Sequence, residues 1–138
     1  MLNIMLFCFD SWYRPVAPMI ADEALEEIFG HRHRSRYMEF APRVKHEVRA
    51  RFPALAHFDG TARYQSVGKD DEPWVHALLV AVGRRTGLAA LINTSFNTKG
   101  KPIVNTVRES LEMLDTLPDL DYVLINDWLF HKDPSRDG

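Results

Sequence analysis

Thr86-Gly87-Leu88-Ala89-Ala90-Leu91-Ile92-Asn93-Thr94-Ser95-Phe96-Asn97 decides the fold class of this chain. The apolar run 88–92 reads as a buried strand. Upstream, Trp74, Leu78, Ala81, Val82 and Arg85 mark one helical stripe, and Gly87 is the stop. Downstream, residues 93–97 hold four short polar side chains, followed by Thr98-Lys99-Gly100-Lys101-Pro102. Helix, strand and polar turn in succession are the unit of α/β layers. Amides, hydroxyls and cations so concentrated form a candidate anion cradle.

The pattern extends in both directions. The spacing predicts a helix through Ala21, Leu25, Ile28 and Phe29 that stops at Gly30. A stiff segment from Arg14 to Pro18 precedes it, and the apolar start 1–9 reads as a strand. Residues 37–40 and 62–67 read as strands, and Val44, Val48 and Phe52 mark a short amphipathic helix or a charged loop. Thr106-Val107-Arg108-Glu109 has capping-box form at the head of another helix. Residues 121–125 and 128–130 read as strands of a hairpin turning at Asn126-Asp127, and the tail 131–138 as frayed.

The 138 residues suit one domain with a sizeable core. Net charge is −2, which gives no general attraction to nucleic acid or anionic lipid, so any anion site is local. One cysteine excludes an internal disulfide and a cysteine-rich zinc site, and a reducing cytoplasmic setting is the default expectation. No apolar run is long enough to span a bilayer as a helix. Walker A, dinucleotide, zincin and nucleophile-elbow signatures are absent, and no metal site within the chain is expected.

Several candidates carry chemistry. In the 93–97 turn, Asn93, Thr94, Ser95 and Asn97 either position an oxyanion or satisfy their own backbone. Asp59, Gly60, Thr61 and Arg63 are either a phosphate-approach turn with a bidentate arginine or a plain surface turn. His57 stands beside them; a lone histidine is more often structural than catalytic. Lys99 and Lys101 are further cations. Arg14 sits between two aromatic residues and a proline-rich segment, fit for anion binding or for packing. The run 31–36 is either a solvated loop or a phosphate-contacting lid.

Blocks along nearly the whole chain resemble the C-terminal domain of the O-carbamoyltransferases of nodulation-factor and antibiotic biosynthesis. They include Trp12-Tyr13-Arg14-Pro15-Val16-Ala17-Pro18, Tyr37-Met38-Glu39-Phe40-Ala41-Pro42 and His57-Phe58-Asp59-Gly60-Thr61-Ala62-Arg63-Tyr64-Gln65-Ser66-Val67. Leu91-Ile92-Asn93-Thr94-Ser95-Phe96-Asn97, Gly100-Lys101-Pro102-Ile103-Val104 and Asp121-Tyr122-Val123-Leu124-Ile125-Asn126-Asp127 continue the series. The resemblance implies a single-domain α/β fold, a YrdC-like twisted sheet flanked by helices. It also implies binding of ATP, with magnesium, and of carbamoyl phosphate, to form carbamoyl-adenylate for transfer to an acceptor hydroxyl. On it, Ser95 and Asn97 line the pocket, Asn93 and Thr94 shape it, and Arg14 and Arg63 neutralise phosphate. The implied partner is a large N-terminal domain, here expected on a separate chain.

The pattern departs from the family at Cys8-Phe9-Asp10-Ser11, where a Lys-x-Arg-Glu block is usual. One misplaced charge about 4 Å from a phosphate changes the energy by roughly 4 kcal/mol at an effective dielectric near 20. The apolar start and the missing large domain are therefore expected to mark a truncation. A non-catalytic nucleotide- or carbamoyl phosphate-binding module and an inactive remnant stay open as alternatives.

Overall fold

The structure, a computed structural model, describes residues 17–98 and 100–132. Arg14, Lys99, the Cys8–Ser11 departure, the strand expected over 1–9 and the tail beyond 132 lie outside them. The described residues form two compact units, 17–93 and 94–132. Helices and small sheets mix in an α/β arrangement, as the sequence indicates.

In the first unit β1 (Ala17–Ala21) is the central strand of a three-stranded sheet, and all five of its residues are buried. Parallel to it runs β2 (Gln65–Val67), with Met19 opposite Gln65 and Ala21 opposite Val67. On the other side β3 (Ala90–Asn93) is antiparallel, with Ala17 opposite Asn93. The parallel pair requires a long crossover. It is made by a 3-10 turn (Asp22–Ala24), α1 (Leu25–Phe29), α2 (His46–Arg51) and a second 3-10 turn (Pro53–Leu55). Ile20, Leu25, Ile28, Val48 and Tyr64 form the centre of the core between these helices and the sheet. The helix α3 (Pro73–Thr86) then packs against β1 and β3. Gly30 and Gly87 close α1 and α3 in the left-handed conformation, as expected of them.

Several sequence expectations need correction: Ala21 ends β1 rather than opening a helix, which begins only at Leu25, and α3 buries Val75 and Leu79 while Trp74 is exposed. Ala17 and Pro18 belong to β1, not to a connecting segment. The Ala21 N–H donates to Ala89 O on the β3 side, so Pro18, three residues earlier, turns its nitrogen toward β2. Pairing with β2 begins only at Met19, so the missing N–H costs that ladder nothing. Residues 37–40 are not strand: the chain turns at 36–37 and Met38 sits at φ 61, with Ser35 Oγ and the Glu39 carboxylate closing the turn. Of residues 62–67 only 65–67 are strand, although Ala62 and Tyr64 are buried and Arg63 between them is exposed, so the alternation persists.

The second unit contains α4 (Val107–Thr116) and a hairpin of β4 (Tyr122–Ile125) and β5 (Trp128–His131) that turns at Asn126, φ 52. Phe96, Val104, Met113, Leu114, Leu120 and Val123 form its core. The capping box is present: Glu109 N–H donates to Thr106 Oγ1, and Thr106 N–H and Oγ1–H donate to Glu109 Oε2.

The Thr106 hydroxyl, then the Asn105 N–H, hold the Glu109 carboxyl below its ordinary 4.5. Its contribution to stability is therefore full above pH 4.5 and lost as pH falls through the lower folded value. Thr106→Ala is expected to cost about 1 kcal/mol at pH 7. In urea titrations Glu109→Gln is expected to flatten the acid side of the stability curve; an unchanged curve would contradict the role given to the box.

Candidate functional site

Three strand ends converge on one edge of the first sheet. Because β1 and β2 are parallel and β3 runs against them, the starts of β1 and β2 meet the end of β3. Residues paired across a sheet share a face, so Ala17, Met19, Gln65 and Asn93 lie on one side. Tyr64 and Ile20 lie on the other, in the core between the sheet and α1 and α2. Arg63 shares the side of Gln65 by the same alternation, is exposed, and forms no ion pair among the described residues. Asn93 is half-buried and its Nδ2 donates to Gln65 Oε1 at 3.2 Å, a bond that spans the central strand.

The chain leaves this edge at Asn93 and enters the second unit with Thr94. Thr94 is half-buried and Ser95 exposed. Phe96 is buried, and its carbonyl accepts from Val104 N–H at 2.9 Å. Asn97 turns inward on its own loop, its Nδ2 donating to Thr98 O at 3.2 Å and Lys101 O at 2.9 Å. Its amide nitrogen thus holds the loop around Gly100, while Lys101 is exposed. The two readings of this turn divide by residue: Asn97 secures the backbone, and Ser95 stays open to solvent.

The 57–61 segment is a tight Asx turn. Asp59 Oδ1 accepts from Thr61 N–H at 2.9 Å and Thr61 Oγ1–H at 2.7 Å, and these bonds, the backbone one first, pull the Asp59 carboxyl below its usual range. His57 N–H donates to Thr61 O, and His57 O accepts from Gly60 N–H. Asp59 is therefore engaged in holding the turn. Thr61 also bridges to Arg43.

The arginines of the basic run 31–36 are engaged in ion pairs. Arg34 pairs with Asp22 at 2.8 Å and with Asp71, Arg36 pairs with Asp71 at 2.5 Å, and Arg32 pairs with Glu26 at 2.6 Å. Burial pushes the Asp22 carboxyl above its ordinary value even with Arg34 beside it. A methyl group on Gly68 would lie 2.8 Å from both Asp22 Oδ2 and Asp71 Oδ2, so glycine is what lets the two acids and Arg34 meet there. Below this network Ser35 and Ser66, both buried, lock the run onto β2. Ser66 N–H donates to Ser35 O, and Ser35 N–H to Ser66 Oγ, each at 2.8 Å. Sequence reasoning missed Ser35, Ser66 and Gln65, although the alternation through Arg63-Tyr64-Gln65-Ser66 already put Gln65 beside Arg63.

Residues 7–132 match the family model described as the carbamoyltransferase C-terminus. The chain belongs to the carbamoyltransferase C-terminal family. It is 35% identical over 126 residues to the nodulation protein NolO of Bradyrhizobium diazoefficiens, which covers 89% of this chain and 23% of that protein. It is 32% identical over 116 residues to the 3'-hydroxymethylcephem-O-carbamoyltransferase of Amycolatopsis lactamdurans, covering 84% and 22%. An uncharacterized protein of Methanocaldococcus jannaschii is 36% identical over 100 residues, covering 72% and 16%. The chain thus spans less than a quarter of the length of these relatives. Among the described residues no helix is long and apolar enough to cross a membrane.

The network around Gly68 gives a direct test. Gly68→Ala is expected to separate Arg34 from the two acids and lower the thermal midpoint by several degrees, because neither the short β2 nor the crossover can yield independently. Lys69→Ala, at an exposed neighbour, is expected to leave the midpoint within about 1 °C. Equal midpoints in the two variants would remove the network from the account of this unit.

Proposed function

We propose that this carbamoyltransferase-family chain is a substrate-binding domain for carbamoyl phosphate and ATP, serving carbamoyl-adenylate formation and transfer to an acceptor hydroxyl. The observation that carries this reading is the exposed Arg63, unpaired among the described residues, on the same sheet edge as the Asn93 amide. A guanidinium without a carboxylate partner keeps its forked donors for a phosphate, whereas Arg34 and Arg36 are already neutralised. Asn93 supplies neutral hydrogen bonds, and Thr94 and Ser95 follow it in the chain with their hydroxyls.

In forming a carbamoyl-adenylate, phosphate leaves carbamoyl phosphate with uptake of water, a carbamoyl oxygen bonds to the α-phosphorus, and the bond to pyrophosphate breaks. The demand on the protein is to bring two polyanions together, hold them in line and screen their repulsion. Arg63 screens charge in this scheme and Asn93 orients. Arg14, in the block that precedes β1, is proposed as a second phosphate cation; Ser95 is proposed as a hydroxyl donor to the ligand. His57, Asp59, Thr61, Lys99 and Lys101 are left without a direct ligand role, and Asn97 keeps the loop that presents Ser95. Acceptor contacts are assigned to a larger domain supplied by the remainder of a longer protein or by a separate chain.

Calorimetric titration of the chain with carbamoyl phosphate and with magnesium-ATP, followed by a pyrophosphate assay, tests the reading. Both ligands are expected to bind, and Arg63→Ala to weaken carbamoyl phosphate by about tenfold to a hundredfold, the loss of a charge-assisted contact. Binding without pyrophosphate would reduce the reading to a non-catalytic module. No binding of either ligand would overturn it.

A further inference from the structure

We propose that Gln65 is a positioning and specificity residue for the carbamoyl group, acting through its bond to Asn93. The inference rests on the carbamoyl phosphate reading above and adds how one half of that ligand is told from its analogues. The bond from Asn93 Nδ2 to Gln65 Oε1 fixes which way each amide faces. It uses the amide nitrogen of Asn93 and the amide oxygen of Gln65. The complementary atoms, Asn93 Oδ1 and Gln65 Nε2, have no partner among the described residues, although both side chains are half-buried. Neither is among the described side-chain atoms sealed from water, so both stay open to a ligand.

An open acceptor on one side chain and an open donor on its hydrogen-bonded partner match one chemical class. A primary carbamoyl group carries N–H donors and a carbonyl acceptor on the same carbon, so its nitrogen fits Asn93 Oδ1 and its oxygen fits Gln65 Nε2. A phosphate, which only accepts at neutral pH, is repelled by Asn93 Oδ1. Arg63, on the same side of the sheet, has the opposite preference. The edge therefore sorts the two ends of carbamoyl phosphate: phosphate toward the guanidinium, carbamoyl toward the amide pair. Without Gln65 the Asn93 amide is free to rotate, and either of its ends then faces the ligand.

Acetyl phosphate replaces the ligand's amino group with a methyl and keeps the phosphate and carbonyl. Titrating the full chain with carbamoyl phosphate, acetyl phosphate and inorganic phosphate isolates the inference. Wild type is expected to prefer carbamoyl over acetyl phosphate by about tenfold, the worth of one lost hydrogen bond in a half-buried site. Gln65→Met is expected to bring the two ligands within about twofold of each other while acetyl phosphate affinity holds. Gln65→Glu, which keeps an acceptor for Asn93 Nδ2 but loses the donor to the shared carbonyl, is expected to weaken both acyl phosphates while keeping the preference, and serves if the methionine variant does not fold. Equal binding of both acyl phosphates by wild type, a preference that survives in Gln65→Met, or acyl phosphate affinities unchanged in Gln65→Glu would overturn the role of Gln65 while leaving the phosphate site standing. Failure of wild type to bind any of the three would overturn the carbamoyl phosphate reading and this inference with it.

Discussion

The first unit depends on one constraint: β1 is buried along its whole length and must find hydrogen-bond partners on both edges. Unpaired backbone groups in that position would each cost free energy comparable to a lost hydrogen bond. β2 can satisfy one edge only after a long crossover, because a parallel partner cannot be reached by a tight turn. β3 satisfies the other edge by arriving antiparallel from α3. Once these pairings are set, the start of β2 and the end of β3 have no choice but to lie on either side of Ala17 and Met19. Arg63, Gln65 and Asn93 are far apart in sequence and share one sheet edge for that reason.

Charge is handled differently at the two ends of the sheet. Beyond the ends of β1 and β2, Asp22 and Asp71 meet Arg34 and Arg36 over Gly68, and the cations are neutralised. Individually such half-exposed pairs contribute little, but the shared acids tie the 31–36 run to both strands. At the opposite end no acid among the described residues pairs with Arg63, and Gln65 and Asn93 on its side of the sheet are amides. A guanidinium unpaired among the described residues at one end, against paired guanidinium groups at the other, is the electrostatic asymmetry on which the proposed ligand site rests.

Much of this was legible in the sequence because it is local. The helix stops at Gly30 and Gly87, the Thr106–Glu109 capping box and the 122–131 hairpin each depend on residues a few positions apart, and each formed as read. What the sequence hid is long-range. Pro18 reads as a strand breaker until its nitrogen is seen to face a stretch with no ladder partner. Residues 37–40 read as a short strand, but the bonds between Ser35 and Glu39 close a turn at its start. At the candidate site the cationic and amide residues were visible one by one. The partner of Asn93 was not, because Gln65 lies 28 positions away and is brought near only by the register of three strands.

Hydrogen–deuterium exchange of the chain with and without carbamoyl phosphate tests the central claim most directly, that the edge shared by Arg63, Gln65 and Asn93 is the ligand site. Slower exchange is expected in peptides covering residues 61–66 and 90–97, with the 122–131 hairpin unchanged. Protection confined to the hairpin or to the 31–36 run, with none at the sheet edge, would contradict the account.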